Sequence, residues 1–252
     1  MTGILDGRHI VVTGAASGIG RAAALELAAQ GASLALWDID QTAVNALAEN
    51  IKHRGTPCFG LGLDVSNANQ VDAAMQRSVE LLGTVDGAFN NAGVGAPTAP
   101  FDTLGEADFD RVMAVNLKGV WLCMRAQFQH MRTSGGGSIV NNASVSGLVA
   151  LAGQAAYTAT KHGVVGLSKA AAVEGAAINI RVNAICPGAV RTAILSHLEE
   201  AGITEAALAA MSPQDRIAEP EEIAHAVVWL LSKQSSFVTG AALPIDGGWA
   251  AR

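Results

Sequence analysis

Tyr157 and Lys161 lie four residues apart in the segment YTATK, and Tyr157 is the only tyrosine in the chain. On a helix, such residues share a face, with Cβ atoms about 5–6 Å apart. A phenol with a pKa near ~10 is a poor base at neutral pH, and lowering that pKa to ~7 requires about 4 kcal/mol of preference for the phenolate. A neighbouring ammonium in a partly dry site can supply that preference. The pair suggests a proton-transferring tyrosine; the alternative is a solvated lysine on an ordinary helix.

Two further segments place polar residues where apolar runs end. Ser144 closes the segment Asn141-Asn142-Ala143-Ser144, thirteen residues before Tyr157, so that both side chains can face one crevice. The segment Asn90-Asn91-Ala92-Gly93 ends an earlier run. Ser144 could hydrogen-bond a substrate oxygen, although a lone serine at a strand end is also a common cap, and a segment such as 90–93 is also a turn signal.

The first predicted strand leads into Thr13-Gly14-Ala15-Ala16-Ser17-Gly18-Ile19-Gly20. Glycines between a strand and a helix let the backbone approach a pyrophosphate, and the helix N-terminus offers free N–H groups and a positive dipole end. The spacing is GxxxGxG rather than the commoner GxGxxG. Its position between a strand and an Ala-rich helix predicts a dinucleotide site.

Asp38 ends the second predicted strand, about twenty residues after the glycines. A carboxylate there can hydrogen-bond the adenosine ribose hydroxyls and would repel a 2′-phosphate. No Arg or Lys stands at Ala15, Ala16, Ile39 or Asp40 to receive such a phosphate. The pattern predicts NAD rather than NADP; the alternative is that Asp38 caps the next helix, a task that Asp40 could perform instead.

Short apolar runs alternate with helical patterns along the chain, which predicts a parallel sheet covered on both faces. We expect a single α/β domain over residues 1–252, doubly wound and Rossmann-type, with seven strands. The predicted strands are His9–Thr13, Ser33–Asp38, Cys58–Asp64, Val85–Asn90, Ser138–Ala143, Ile180–Ile185 and Ala241–Ile245; the predicted helices are 18–30, 40–53, 67–82, 106–133, 154–176 and 219–232.

Residues 188–218 depart from this alternation and are expected to form a substrate lid. Apolar side chains such as Leu195 could cover a ligand, or they could cap the core instead. The nearby apolar residues Val94, Val145, Leu148, Val149 and Val190 favour a mostly apolar substrate, while the cation Arg191 leaves an anionic one open.

Composition excludes several classes of protein. Half of the residues are hydrophobic, only 15% are charged, and the net charge is −6 with scattered basic residues, so nucleic-acid binding is not expected. The three cysteines fit neither a disulfide framework nor a metal site, and no metal is predicted. We see no signal peptide and no apolar run long enough to cross a membrane, and therefore expect a cytoplasmic protein.

Together these motifs resemble the short-chain dehydrogenase/reductase family over the whole chain. The resemblance rests on Thr13–Gly20, Asp64, Asn90–Gly93, Asn116, Ser144, Tyr157, Lys161 and Pro187-Gly188, which appear in family order. The YxxxK spacing resembles the carbonyl/alcohol members rather than the enoyl reductases.

The resemblance implies four catalytic residues. Tyr157 would be the general acid/base, Lys161 would lower its pKa and bind the nicotinamide ribose, Ser144 would hold the substrate oxygen, and Asn116 would join a water-linked proton relay. Cofactor contacts are expected from Tyr157 and Lys161 and from Gly14, Ser17, Gly18, Ile19, Gly20, Asp38, Asp64, Val65, Asn90, Ala92, Gly93, Pro187, Gly188, Val190 and Thr192. Substrate contacts are expected from Ser144, Gln154, Tyr157, Val94 and Leu195.

The sequence thus predicts an NAD-dependent oxidoreductase that interconverts a secondary alcohol and its ketone. One alternative is a 3-oxoacyl thioester (acyl-carrier-protein) reductase; those enzymes usually take NADPH, so Asp38 weighs against it. Another is a catalytically idle nucleotide-binding member, which the intact catalytic set disfavours. The resemblance also implies a homotetramer, and the low charge content agrees with buried subunit contacts.

Overall fold

A computed structural model describes residues 3–192 and 204–251. Its strands are β1 (His9–Thr13), β2 (Ser33–Asp38), β3 (Cys58–Gly62), β4 (Gly87–Asn90), β5 (Gly137–Asn142), β6 (Ile180–Pro187) and β7 (Ala242–Ile245). The principal helices are α1 (Gly18–Ala29), α2 (Gln41–Lys52), α3 (Ala68–Leu82), α4 (Glu106–Met113), α5 (Val120–Ser134), α6 (Ala155–Gly175), α7 (Glu205–Ala209) and α8 (Pro220–Leu231).

The strands form one parallel sheet in the order β3-β2-β1-β4-β5-β6-β7. The chain moves outward from β1 to β3, then returns to pair β4 with β1 and continues in the other direction. The reversal between β1 and β4 leaves a crevice at the carboxyl ends of these strands, where ligands bind in folds of this kind. The predicted fold class is confirmed.

Two apolar clusters cover the faces of the sheet, and β1 shows why. Ile10 and Val12 belong to the cluster beneath α1, α2 and α8, whereas Val11 belongs to the cluster beneath α3, α5 and α6. All three residues are fully buried. Successive strand residues face opposite sides, so a strand covered on both faces must be apolar at every position.

The predicted helix 106–133 is interrupted. Residues Ala114–Gly119 form a π-helical turn between α4 and α5. The Asn116 side chain lies in this turn and pairs with the backbone of Val94: its Oδ1 accepts from the Val94 N–H at 2.8 Å, and its Nδ2 donates to the Val94 carbonyl at 2.8 Å. π turns of this type are frequent at functional sites.

Candidate active site

The glycine-rich turn after β1 is built for close approach. Gly14 and Gly18 have φ values of 60° and 49°, in the left-handed region that glycine adopts without strain. A Cβ on Gly14 would lie 2.8 Å from the Ala92 Cα, and one on Gly20 would overlap the Gly14 carbonyl. The backbone is thus bare at the start of α1, as a nucleotide pyrophosphate requires.

Other predicted cofactor residues border this turn. Thr192 lies against it, since a Cβ on Gly18 would be 3.1 Å from the Thr192 Cγ2. Ser17 is exposed at the start of α1, and its side chain makes no capping bond. On the far side, the Ala92 N–H donates to Thr13 Oγ1 at 3.0 Å, and Gly93 is exposed next to Asn116.

Asp38 is held over the same turn. One carboxylate oxygen accepts from the Ala16 N–H at 2.9 Å and the other from the Asp40 N–H at 3.0 Å. Asp40, rather than Asp38, caps α2 by accepting from the Ala43 N–H at 2.9 Å. Each oxygen of Asp38 retains a lone pair for a hydroxyl donor.

The remaining predicted cofactor contacts occupy different settings. Asp64 is half-buried and accepts hydrogen bonds from both Ser66 N–H and Ser66 Oγ at 2.8 Å, while Val65 is buried. Ile19 is half-buried against the apolar core. Pro187 is the last residue of β6, and Gly188 packs against Asp246.

Two side chains differ from expectation. The Asn90 side chain does not line the crevice: it is buried and exchanges hydrogen bonds of 2.9 and 2.7 Å with Gln127, and it also donates to Asn141 at 2.9 Å. Val190 is 4% exposed and packs in the core beneath α1 and α8. Asn90 ends β4 as predicted, but the sequence does not reveal the direction of either side chain.

Ser144, Tyr157 and Lys161 meet at the carboxyl end of β5. Ser144 follows the strand in extended conformation, and Tyr157 lies in the first turn of α6. The Lys161 Nζ lies 5.4 Å from the centroid of the Tyr157 ring and donates to the Asn142 carbonyl at 2.8 Å. The lysine is 5% exposed, so its ammonium is fixed in a largely dry setting.

Burial dominates the titration of this group. Desolvation raises the pKa of Tyr157, and a hydrogen bond with Ser144 acts in the opposite direction. Desolvation also lowers the pKa of Lys161 to about 8. The lowering of the Tyr157 pKa by Lys161 therefore stays a prediction, because the net direction in this structure is upward.

Cys186 lies close to Lys161 but is not suited to nucleophilic chemistry. It is fully buried, and burial raises the pKa of its thiol to about 11. Cys58 and Cys123 are also free and buried. All three thiols stay protonated at neutral pH, which leaves them inert.

Three further residues predicted to contact the substrate are Gln154, Val94 and Leu195. Gln154 borders the crevice, but its Nε2 donates to Thr98 Oγ1 at 3.0 Å and thereby joins the loop after β4 to the loop before α6. Val94 is half-buried beside Asn116. Leu195 lies outside the described residues.

Arg191 is engaged by carboxylates of this chain. Its Nη1 and Nη2 donate to both oxygens of Glu205 at 2.8 and 2.9 Å, and its Nε donates to Glu219 at 2.9 Å. We name these three residues the Arg191 clasp. Glu205 and Glu219 neutralise the cation that the sequence left open for an anionic substrate.

In the described residues, no group of three His, Cys, Asp or Glu side chains is arranged to hold a metal ion. Within the same residues, no helix is long and apolar enough to cross a membrane.

A bare glycine turn, an acidic residue after β2, and a Ser–Tyr–Lys group on one crevice define a dinucleotide-binding oxidoreductase. A family model described as enoyl-(acyl carrier protein) reductase matches residues 14–250. The chain is 38% identical to levodione reductase of Leifsonia aquatica, with 97% of this chain and 94% of the relative covered. It is 40% identical to cis-4-hydroxycyclohexanecarboxylate dehydrogenase of Sinomonas cyclohexanicum, with 97% of each covered. The chain belongs to the short-chain dehydrogenase/reductase family.

Solved structures agree. The crystal structure of levodione reductase superposes with a TM-score of 0.94 at 37% identity, covering 98% of this chain and 99% of that one. NAD⁺-bound xylitol dehydrogenase gives 0.93 at 32% identity, covering 97% and 99%. A 3-ketoacyl-(acyl-carrier-protein) reductase from Brucella melitensis complexed with NADH gives 0.91 at 33% identity, covering 98% and 99%. The prediction of an oxidoreductase with a nicotinamide cofactor is confirmed.

Sequence reasoning missed two contacts that join the site to its surroundings. The Asn142 carbonyl accepts a hydrogen bond from Lys161, and the Asn142 side chain donates one to Asn91. Thr98 Oγ1 accepts a hydrogen bond from Gln154. The repeated Asn-Asn pairs at 90–91 and 141–142 were a signal for the first contact. No local pattern indicated the second, because residues 98 and 154 are joined only by the fold.

Proposed function

We propose that this protein interconverts a secondary alcohol and its ketone with NAD(H), and that Tyr157 exchanges the proton. The observation that carries the proposal is the meeting of Ser144, Tyr157 and Lys161 beside the bare glycine turn. A nicotinamide held at the glycine turn would supply the acceptor for the hydride that leaves the alcohol carbon. In that direction the alcohol O–H proton passes to the phenolate oxygen of Tyr157, and the O–H bonding pair forms the new C=O bond.

Each side chain has a stated task. Ser144 donates to the substrate oxygen and orients it toward Tyr157. The fixed ammonium of Lys161 favours the phenolate at the moment of proton transfer, because an opposite charge in a dry setting interacts strongly. Asn116 holds the Val94 backbone and, in this proposal, contributes to a proton relay to solvent.

The preference for NAD rests on Asp38. Its carboxylate faces the glycine turn with lone pairs for ribose hydroxyls, and a 2′-phosphate would meet a like charge. The other predicted cofactor residues, including Asp64, Val65, Gly188 and Thr192, complete the proposed site, with Asn90 and Val190 contributing backbone only.

We infer a neutral ring alcohol or its ketone as the substrate class. The dehydrogenase of Sinomonas cyclohexanicum is named for a cyclohexane ring that carries both a hydroxyl and a carboxylate. A second relative, from Acinetobacter sp. (strain SE19), is a cyclohexanol dehydrogenase, named for the neutral ring alcohol. The apolar residues Val94, Val145 and Leu148 suit such a ring, while the occupied Arg191 does not favour an added carboxylate. Residues 188–218, with Leu195 as a substrate contact, are part of this proposal as a lid.

A thioester reductase is the second candidate, supported by the Brucella structure. That enzyme was solved with NADH, so a preference for NAD does not by itself separate the two candidates. The two candidates are distinguished by the class of substrate that the enzyme turns over.

The test is a set of initial rates for cyclohexanol, acyclic secondary alcohols, sugar alcohols and 3-hydroxyacyl thioesters, each with NAD and NADP. We expect turnover of ring alcohols with NAD, and a loss of about 10²–10⁴ in kcat for Tyr157→Phe, the usual range for a general acid/base. Activity confined to thioesters would favour the second candidate. Full turnover by Tyr157→Phe would overturn the mechanism, and wild-type protein without any turnover would favour an idle member.

We also propose a cytoplasmic homotetramer. Free, buried thiols suit a reducing compartment. Trp121 on α5 is 45% exposed, Val173 on α6 is 81% exposed, and Phe237 is fully exposed, which favours burial between subunits. Light scattering after size-exclusion chromatography gives the mass, and a monomer would contradict this part of the proposal.

A further inference from the structure

We propose that Asn142 is a positioning residue that couples the site of the catalytic lysine to the glycine-rich turn. The inference rests on the proposed function, because it assigns a task within the same site. It concerns a row of three residues, Gly14, Asn91 and Asn142, which we name the strand-end row.

The strand-end row results from the register of the sheet. Thr13 of β1 pairs with Asn90 of β4, and Asn90 pairs with Asn141 of β5. The next residue on each strand is therefore Gly14, Asn91 and Asn142. Residues in register on parallel strands point to the same face, so Asn91 and Asn142 are neighbours by construction.

Hydrogen bonds run along the whole row. Lys161 Nζ donates to the Asn142 carbonyl at 2.8 Å, and Asn142 Nδ2 donates to Asn91 Oδ1 at 2.8 Å. Asn91 Nδ2 in turn donates to the Gly14 carbonyl at 2.9 Å. Three bonds thus link the lysine on α6 to the turn that begins α1, the first at the backbone carbonyl of Asn142 and the other two through the side-chain amides of Asn142 and Asn91.

Hydrogen bonding fixes which way the side-chain amides of Asn91 and Asn142 point. Asn91 must present its Nδ2 to the Gly14 carbonyl, which leaves its Oδ1 toward Asn142. Only a donor at position 142 satisfies that oxygen, and an aspartate there would place a carboxylate against it.

A shift of the Asn91 side chain would displace the glycine-rich turn, because the two are in contact. A Cβ on Gly14 would lie 3.0 Å from Asn91 Nδ2, and one on Gly20 would lie 2.6 Å from it. The Asn91 amide therefore packs directly against two glycines of the turn. Loss of its partner at position 142 would let this amide shift and the turn with it.

A purely stabilising role does not account for Asn142. Its Oδ1 is buried and has no hydrogen-bond partner among the described residues. A buried acceptor without a partner is destabilising, so its replacement by an apolar residue of the same shape offsets part of the cost of losing the bond to Asn91. What such a residue lacks is the donor to Asn91.

The experiment compares Asn142→Leu and Asn142→Asp with wild-type protein by calorimetric titration of NAD, thermal unfolding and steady-state kinetics. We expect the Kd for NAD to rise about tenfold in both variants, as for the loss of one hydrogen bond. For Asn142→Leu the unfolding midpoint should change little, because loss of the bond to Asn91 is offset by removal of the unpartnered acceptor. The kcat should fall in both variants, while the KM for the alcohol stays within about twofold, because the row does not border the substrate.

Two controls separate positioning from general damage. Asn183 is a fully buried asparagine of β6 that bonds to residues 238 and 241 away from the row, so Asn183→Leu should lower the unfolding midpoint without changing the Kd for NAD. The double variant Asn91→Leu/Asn142→Leu should bind NAD no more weakly than whichever of the single variants Asn91→Leu and Asn142→Leu binds NAD less tightly. The effects should not add, because both substitutions break the same strand-end row.

The outcomes are distinct. Wild-type NAD affinity and kcat in Asn142→Leu would overturn this inference and leave the proposed function intact. So would a weakened affinity that simply tracks the unfolding midpoint, as judged against Asn183→Leu. Wild-type protein that binds neither NAD nor NADP would overturn the proposed function and this inference with it.

Discussion

The polar groups beneath the site differ from those at its opening. Beneath it, the strand-end row lies beside the Asn90–Gln127–Asn141 network, in which Gln127 of α5 bonds to Asn90 of β4, which in turn bonds to Asn141 of β5. Asn90, Gln127 and Asn141 are at most 1% exposed. At the opening, the Arg191 clasp and the bond from Gln154 to Thr98 are exposed. Buried hydrogen bonds are costly to break, whereas exposed ion pairs contribute little. The difference suggests a site with a fixed floor and an adjustable entrance.

The largest effect is expected at the floor, in the glycine turn. Gly14→Ala would add a Cβ 2.8 Å from the Ala92 Cα at a positive φ, and we expect NAD affinity to fall by about 100-fold, measured by titration. Gly7 has a φ of 72° but no atom within 4 Å of its added Cβ, so Gly7→Ala is the matched control. Equal losses in both variants would mean that strain alone, and not crowding, explains the result.

The second-largest effect is expected on stability, in the buried Asn90–Gln127–Asn141 network. Gln127→Leu removes both hydrogen bonds between Gln127 and Asn90 and leaves buried amide atoms without partners. The free energy of unfolding should fall by about 2–3 kcal/mol in urea. Gln129→Leu changes an exposed residue of the same helix and should have little effect. Equal stability of the two variants would contradict the importance of the network.

Lys161 gives the floor a pH dependence. Its pKa is about 8 in the folded protein and near 10.5 when unfolded, so the unfolded chain binds more protons between these values. Stability contributed by this site therefore rises with pH, by about 2 kcal/mol between pH 7.5 and 9.5. Burial of the three thiols lowers the stability of the folded protein as pH rises above 9. The contribution of Lys161 must therefore be measured as a difference in free energy of unfolding between wild type and a variant.

That difference is the free energy of unfolding of wild type minus that of Lys161→Met, followed against pH at fixed protein concentration. It should become more favourable to wild type as pH rises through about 8. Lys169 is exposed on the same helix, and Lys169→Met should give a flat difference. A flat difference for Lys161→Met as well would show that the burial of Lys161 is not linked to folding.

The smallest effect is expected at the entrance. Arg191→Gln breaks an exposed clasp, so the urea midpoint should change less than in Arg8→Gln, which breaks a half-buried pair with Asp86 at 2.8 Å. Turnover of neutral ring alcohols should be retained. A selective loss for alcohols that carry a carboxylate would contradict the occupied state of Arg191 and restore it as an anion-binding residue.

The contrast between local and distant contacts also explains how much the sequence could predict. The strands His9–Thr13 and Ser33–Asp38 were predicted with their observed bounds, because strands buried on both faces are apolar throughout. The positions of Ser144, Tyr157 and Lys161 were predicted from spacing and strand ends. These features are local, and local patterns record them.

Contacts between distant segments were not predictable in the same way. The direction of the Asn90 side chain depends on Gln127, and the pairing of Arg191 depends on Glu205 and Glu219. The packing of Val190 into the core depends on how the chain leaves β6. Likewise, helical periodicity runs smoothly through 106–133 and gives no sign that Asn116 sits in a π turn, where its side chain bonds to Val94, 22 residues away in sequence.

The π turn indicates how this helix would respond to the gain or loss of one residue. A π turn holds one residue more than an α turn, and it is the form that a helix takes when it absorbs a single inserted residue without rotating its later turns. Removal of one residue from Ala114–Gly119 would let α4 and α5 merge into one regular helix, with the core-facing side of α5 retained. Such a shortened chain should fold, yet Asn116 would no longer reach Val94. A gene that lost one codon here would encode a sound scaffold without the contact between Asn116 and Val94.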